Sequence, residues 1–112
     1  MRHLEEIKRR FLKNDLSVRL GCIASNLARL ESFSKMPNNQ RVVNDLIEES
    51  KFFIEWTTPE VNLDIQVELV NTQIQLALWN YFKDQKQISK DAGKLSKKIL
   101  KLSGLIEQKC GF

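Results

Sequence analysis

Between Val61 and Tyr81 the apolar residues fall into two sets that no single face of a helix can hold. One set is Leu63, Val67, Val70, Ile74, Ala77, Leu78 and Tyr81; the other is Val61, Ile65, Leu69, Leu76 and Trp79. The first is spaced by threes and fours as one side of an α-helix requires. At about 100° per residue the two sets lie on nearly opposite sides, and a helix that is apolar on two sides needs two covers. The stretch from Thr58 to Phe82 therefore predicts a buried central helix. Residues 61–69 also alternate, with Asn62, Asp64, Gln66 and Glu68 between the apolar positions, which is the period of a half-buried strand. Helix is the better reading. No second alternating run is present to pair with a strand, a lone strand leaves its backbone groups unpaired, and the helical spacing continues in phase to Trp79 and Tyr81.

The rest of the chain supplies the covers. With four glycines and two prolines in 112 residues there is little material for a turn-rich β architecture, and the length suits one domain. Leu4, Ile7 and Phe11 share a face. A new stripe then begins out of phase with it: Leu16, Leu20, Ile23, Leu27 and Leu30, with Asn14 and Asp15 as cap residues at the change. Gly21 lies within this helix and suggests a close approach by another. Ser34-Lys35-Met36-Pro37-Asn38-Asn39-Gln40 is a turn. Val42, Val43, Leu46, Ile47, Ser50, Phe53 and Ile54 make the next stripe. Thr58 as cap, Pro59 at the first helical position and Glu60 near the positive end of the dipole predict a tight restart there. After a polar segment with Ser89 as cap, Ile88, Ala92, Leu95, Ile99, Leu102 and Ile106 step by four, three, four, three, four, as in a coiled-coil seam. The expected fold is all-α: an antiparallel up-and-down four-helix bundle with a short additional N-terminal helix or turn. Its helices are expected over about 2–12, 15–35, 40–56, 59–85 and 89–108 in one domain spanning 1–112.

Charge is unevenly placed. The net charge of +4 conceals an acidic middle, since residues 31–68 hold three basic side chains against eight acidic ones. Residues 83–112 hold eight lysines against three acidic groups. Lys90, Lys94, Lys97 and Lys101 form one stripe opposite the seam, about 16 Å long at 1.5 Å per residue. Such a stripe can contact a partner or an anion, a phosphate backbone included, or simply keep the helix solvated. No aromatic residue interleaves the lysines and no groove-reading motif is present, so base-specific recognition has no support.

Catalytic chemistry finds no constellation. His3 is the single histidine and lies outside any Glu-x-x-His spacing of a di-metal bundle, while Glu60, Asp64 and Glu68 form a carboxylate column without a nitrogen ligand. No serine or cysteine has a histidine base nearby in the pattern, and no glycine-rich phosphate loop appears. Cys22 and Cys110 lack partners at metal spacing; Cys22 reads as a small apolar helix residue and Cys110 as a free thiol in a frayed tail, and a reducing compartment disfavours the alternative of a disulfide between them. The aromatic residues Phe52, Phe53, Trp56, Trp79, Tyr81 and Phe82 read as core, with a ligand groove as the sharper alternative. The N-terminus lacks the apolar run of a signal peptide, and no stretch has the length of a membrane span. No catalytic residue, metal or cofactor is therefore expected, and the expected compartment is the cytoplasm.

Three stretches, RLGCIASNLARLESFS, LIEESKFFIEWTTPE and QIQLALWNYF, within residues 19–82, resemble segments of small uncharacterised all-helical proteins of cyanobacteria. The resemblance implies a cytoplasmic helical bundle and carries no site residues with it. The functional expectation is a non-catalytic protein-interaction or assembly module whose partner is a protein, the chain itself included as a homodimer. Val61, Ile65, Leu69, Leu76 and Trp79 are the candidate oligomer contact, to be used if that face is left uncovered. The alternative is a nucleic-acid-associated accessory protein that holds phosphates through Lys90, Lys94, Lys97 and Lys101. No membrane partner is expected.

Overall fold

The computed structural model of the chain describes residues 3–82 and 84–111, the side chains of 105–111 excepted. Five α-helices follow one another: α1 (Leu4–Leu12), α2 (Leu16–Ser34), α3 (Gln40–Thr57), α4 (Leu63–Phe82) and α5 (Gln85–Gly111), with a 3-10 turn, Thr58–Glu60, between α3 and α4. Among the described residues there is no strand, so the alternation over 61–69 is overridden by the helical phase. The last four helices form the antiparallel up-and-down bundle, and α1 is the short addition, docked on α3.

The central element is α2, which corrects the expectation that the segment 58–82 would hold that place. Leu20, Ile23, Leu27 and Leu30 are fully buried, and α2 packs most extensively against α5 and next against α3. The contact with α5 is close because small residues line it. The Ser96 hydroxyl donates to the Ala24 carbonyl at 2.7 Å, and the Ser103 hydroxyl donates to the Ser17 carbonyl at 2.7 Å. As the chain advances along α5 it retreats along α2, so these two bonds pin an antiparallel register. At Gly93 the Glu31 carboxylate of α2 lies where a side chain would stand, so a methyl group there would displace it. Gly21 has no such neighbour: the space where its side chain would stand is open, so no helix approaches α2 at that point. From the expected seam, Ile88, Ala92 and Ile99 are fully buried, while Ile106 and Cys110 lie outside the described side chains.

Two junctions differ from the sequence expectation in an instructive way. Thr58 closes α3 rather than opening α4, because its hydroxyl donates back to the Ile54 carbonyl at 2.6 Å. Pro59 then sits in the 3-10 turn, Val61 is extended (φ −111°, ψ 164°), and Asn62 caps α4 by accepting the Ile65 N–H at 3.0 Å. At the other end Asp84 caps α5, accepting the N–H groups of Lys86 and Gln87 at 3.1 and 3.3 Å. Ser89 is therefore one turn inside the helix, and the segment read as a polar connection is its first turn. In both cases another short acceptor side chain, Asn62 in place of Thr58 and Asp84 in place of Ser89, forms the cap.

At the N-terminal break, Arg19 is buried and holds the pieces together. Its guanidinium donates to the Leu12 carbonyl at 2.9 Å, to the Asn14 carbonyl at 2.8 Å and to Glu60 Oε2 at 2.6 Å. Phe11 brings α1 onto α3 by stacking on Phe53, with ring centroids 4.1 Å apart, and Trp56 packs beside both. Phe52 stacks on Trp56 at 5.6 Å. The aromatic residues thus divide: Phe11, Phe52, Phe53 and Trp56 join α1 to α3, Trp79 enters the core, and Tyr81 and Phe82 stay exposed.

Candidate interaction surface

α4 has two apolar faces, and the bundle covers only one. The inward face holds Ile65, Leu69, Thr72, Leu76 and Trp79, with Val61 buried just before the helix. These include all five residues expected as a candidate oligomer contact, Val61, Ile65, Leu69, Leu76 and Trp79, and that expectation is corrected: they are core. Their cover comes from the neighbours of α4 in the bundle, chiefly α3 and α5. A side chain already enclosed by its own chain has no area left to offer a partner.

The opposite face is open. Leu63 is 72% exposed, Ile74 55% and Tyr81 81%, and Val67, Val70, Ala77, Leu78 and Phe82 are exposed beside them. Leu63, Val67, Val70, Ile74, Ala77 and Tyr81 step by four, three, four, three, four, the spacing of a coiled-coil seam, over about 27 Å of helix. Exposed apolar residues elsewhere, such as Val18, Met36 and Leu100, are single and scattered, which is ordinary for a protein surface. The α4 stripe is contiguous, and its eight side chains together expose on the order of 800 Å², with Tyr81 and Phe82 giving the largest shares. Monomers rarely leave patches beyond about 300–600 Å².

Polar ground flanks the stripe on both sides. Towards α5, Glu68 pairs with Lys98 at 2.7 Å, and Asn71 and Gln75 line a shallow groove with Asp91 and Lys94. Towards α3 a groove of 430 Å³ is bordered by Glu48, Lys51, Phe52, Glu55, Gln73 and Asn80. Along the stripe itself the charge vanishes: from Leu69 to Phe82 there is no Asp, Glu, Lys or Arg. A polar rim around an uncharged apolar centre is the composition of a protein-binding surface.

The other expected contact residues lie elsewhere. Lys90, Lys94, Lys97 and Lys101 are all exposed on the outer side of α5 and form no ion pair among the described residues. The carboxylate column is split: Glu60 binds Arg19, Glu68 binds Lys98, and Asp64 is exposed between them. No group of three or more His, Cys, Asp or Glu side chains among the described residues is arranged to hold a metal ion. Cys22 is a free thiol in a part-buried setting near Glu49 and Arg29; burial pushes its pKa up, Glu49 adds to the rise and Arg29 opposes it. Such a thiol is a poor nucleophile at neutral pH.

Both apolar stripes of α4 follow helical spacing, the inner one with the polar Thr72 between Leu69 and Leu76, so periodicity alone could not select the outer one. End residues do not separate the stripes either, since Tyr81 of the outer one and Trp79 of the inner one each carry a polar group that seeks water or a polar partner. Comparison with protein families, with curated proteins and with solved structures finds no match to this chain. Among the described residues no helix is long and apolar enough to cross a membrane.

Proposed function

We propose that the protein is a non-catalytic helical interaction module of the cytoplasm, and that it engages a protein partner through the outer face of α4. The observation that carries this reading is the uncovered heptad stripe from Leu63 to Tyr81. Burying it removes roughly 800 Å² from water, about one side of a standard protein interface, and burial of apolar area is the main driving force of such association. The test is a photo-crosslinking residue placed at Ile74 in the native cells, with Lys97 as the control position. A discrete protein adduct at position 74 that disappears when Val70→Asp is added supports the reading. Equal adducts at both positions, or none at 74, would overturn it.

A second reading rests on the four unpaired lysines of α5 as an anion-binding row for nucleic-acid phosphates. Their exposure and the absence of carboxylate partners among the described residues support it. Its test is binding to DNA and RNA at low salt, followed by a salt titration. Contact with phosphates predicts a steep fall with salt and loss of binding in Lys94→Glu, Lys97→Glu, Lys101→Glu, whereas no binding at low salt ends this reading.

A further inference from the structure

We infer that the partner seated on α4 is a second copy of this chain, packed antiparallel so that the outer stripe of one protomer meets the same stripe of the other about a twofold axis between Val70 and Ile74. This deepens the proposed interaction function and rests on it.

The area comes first. A stable dimer of ordinary size buries about 800 Å² per partner, and the exposed stripe offers on the order of that amount without recruiting other helices. The chemistry of the occupant comes next. The surface from Leu69 to Phe82 has no charge with which to attract a basic or acidic ligand, so its complement is an uncharged apolar seam of the same length and spacing. This chain displays such a seam on its own surface, and a twofold arrangement makes a single patch complementary to itself. No other exposed face among the described residues has that character, since the remaining exposed large apolar side chains are isolated.

Direction follows from size and charge. In a parallel pair Ala77 would face Ala77 and leave a gap, Tyr81 would crowd Tyr81, and Asp64 would lie beside Asp64. In an antiparallel pair Leu63 meets Tyr81, Val67 meets the Ala77–Leu78 step, and Val70 meets Ile74. Ala77 then faces Val67 rather than its own copy, Tyr81 faces Leu63 rather than a second tyrosine, and the two Asp64 carboxylates stand at opposite ends of the seam, which seam packing and like-charge repulsion both favour.

The test uses the full chain. Sedimentation equilibrium is expected to give a dimer at micromolar concentration, and Ile74→Asp to raise the dissociation constant by about 100-fold while leaving the helical circular dichroism unchanged, as burial of a charge at the centre of an interface demands. Val70→Asp is the second variant, on the same exposed face. Oxidative crosslinking in a Cys22→Ser, Cys110→Ser background reads the direction. Leu63→Cys and Tyr81→Cys proteins are expected to crosslink only when mixed. A chain that stays monomeric to several hundred micromolar overturns the self-pairing, as does a dimer that survives both aspartates; crosslinking of Leu63→Cys with itself overturns the antiparallel arrangement. Failure here is distinct from failure of the interaction reading. A monomer that still gives a discrete adduct with another protein at position 74 loses the second copy and keeps the interacting face.

Discussion

The Arg19 guanidinium donates to Glu60 Oε2 at 2.6 Å across 41 residues of chain, and it ties the start of α2 to the turn that leads into α4. The two partners are not equivalent. The Arg19 side chain is 8% exposed and also serves the Leu12 and Asn14 carbonyls, whereas that of Glu60 is about half exposed. Arg19→Ala is expected to destabilise the fold by about 3 kcal/mol, since it leaves two carbonyls without their donor. Glu60→Ala should cost about 1 kcal/mol, because Arg19 keeps its other acceptors. Arg19→Lys should rescue little, as a single ammonium cannot span three acceptors in the guanidinium fork. Urea denaturation of the variants checks the order.

The two faces of α4 should separate cleanly under truncation. Leu69 is fully buried, so Leu69→Ala is expected to cost about 2–5 kcal/mol through lost burial and the cavity left behind. Ile74 is over half exposed, and Ile74→Ala should change the stability of the monomer by no more than about 0.5 kcal/mol. Thermal melts at dilute concentration, where any association is weakest, make the comparison. Equal losses at both positions would contradict the orientation of α4.

Gly21 sits within α2 with open space where a side chain would be. It carries the entropic cost of glycine in a helix and gains no close packing in return. Gly21→Ala is therefore expected to stabilise the protein by about 0.5–1 kcal/mol, read as a higher urea midpoint with an unchanged slope.

Burial, with Glu49 adding to it and Arg29 working against it, holds the Cys22 thiol above its ordinary pKa. In a Cys110→Ser background, alkylation of Cys22 at pH 7–8 should be slower than that of an exposed cysteine. Glu49→Gln removes a negative neighbour while keeping an acceptor for Asn26, so it should lower the thiol pKa and speed the reaction. The folded thiol keeps its proton to higher pH than the unfolded one. Its contribution is thus fully present below the unfolded pKa and is lost as the pH rises from there through the higher folded pKa. Rates of alkylation against pH, with and without Glu49→Gln, give the direction.

Much of this architecture was legible because helical periodicity is a local property. The stripes Leu20–Leu30 and Val43–Ile54 and the seam Ile88–Ile99 became the buried faces where their spacing placed them, while Leu16 is half-buried and Val42, at the edge of its stripe, is exposed. Caps were less legible, because several short polar residues compete within a few positions: Asn62 rather than Thr58 opens α4, and Asp84 rather than Ser89 opens α5. Nothing in the sequence marks Arg19 out from the other basic residues. Its three acceptors come from Leu12, Asn14 and Glu60, and only folding brings the third of these near the other two.

For α4 the division is sharpest. The amino-acid sequence by itself determined that residues 63–82 form a helix with two apolar sides, since spacing by threes and fours is written in the order of the residues. Which side turns inward was decided only in three dimensions. The α2–α5 pair closes tightly on Ala24, Ser96 and Ser103, and α4 is left with neighbours on one side. Ile65, Leu69, Leu76 and Trp79 fill that side, and the equally apolar stripe from Leu63 to Tyr81 faces outward because a helix at the edge of a bundle has its own chain on one flank alone.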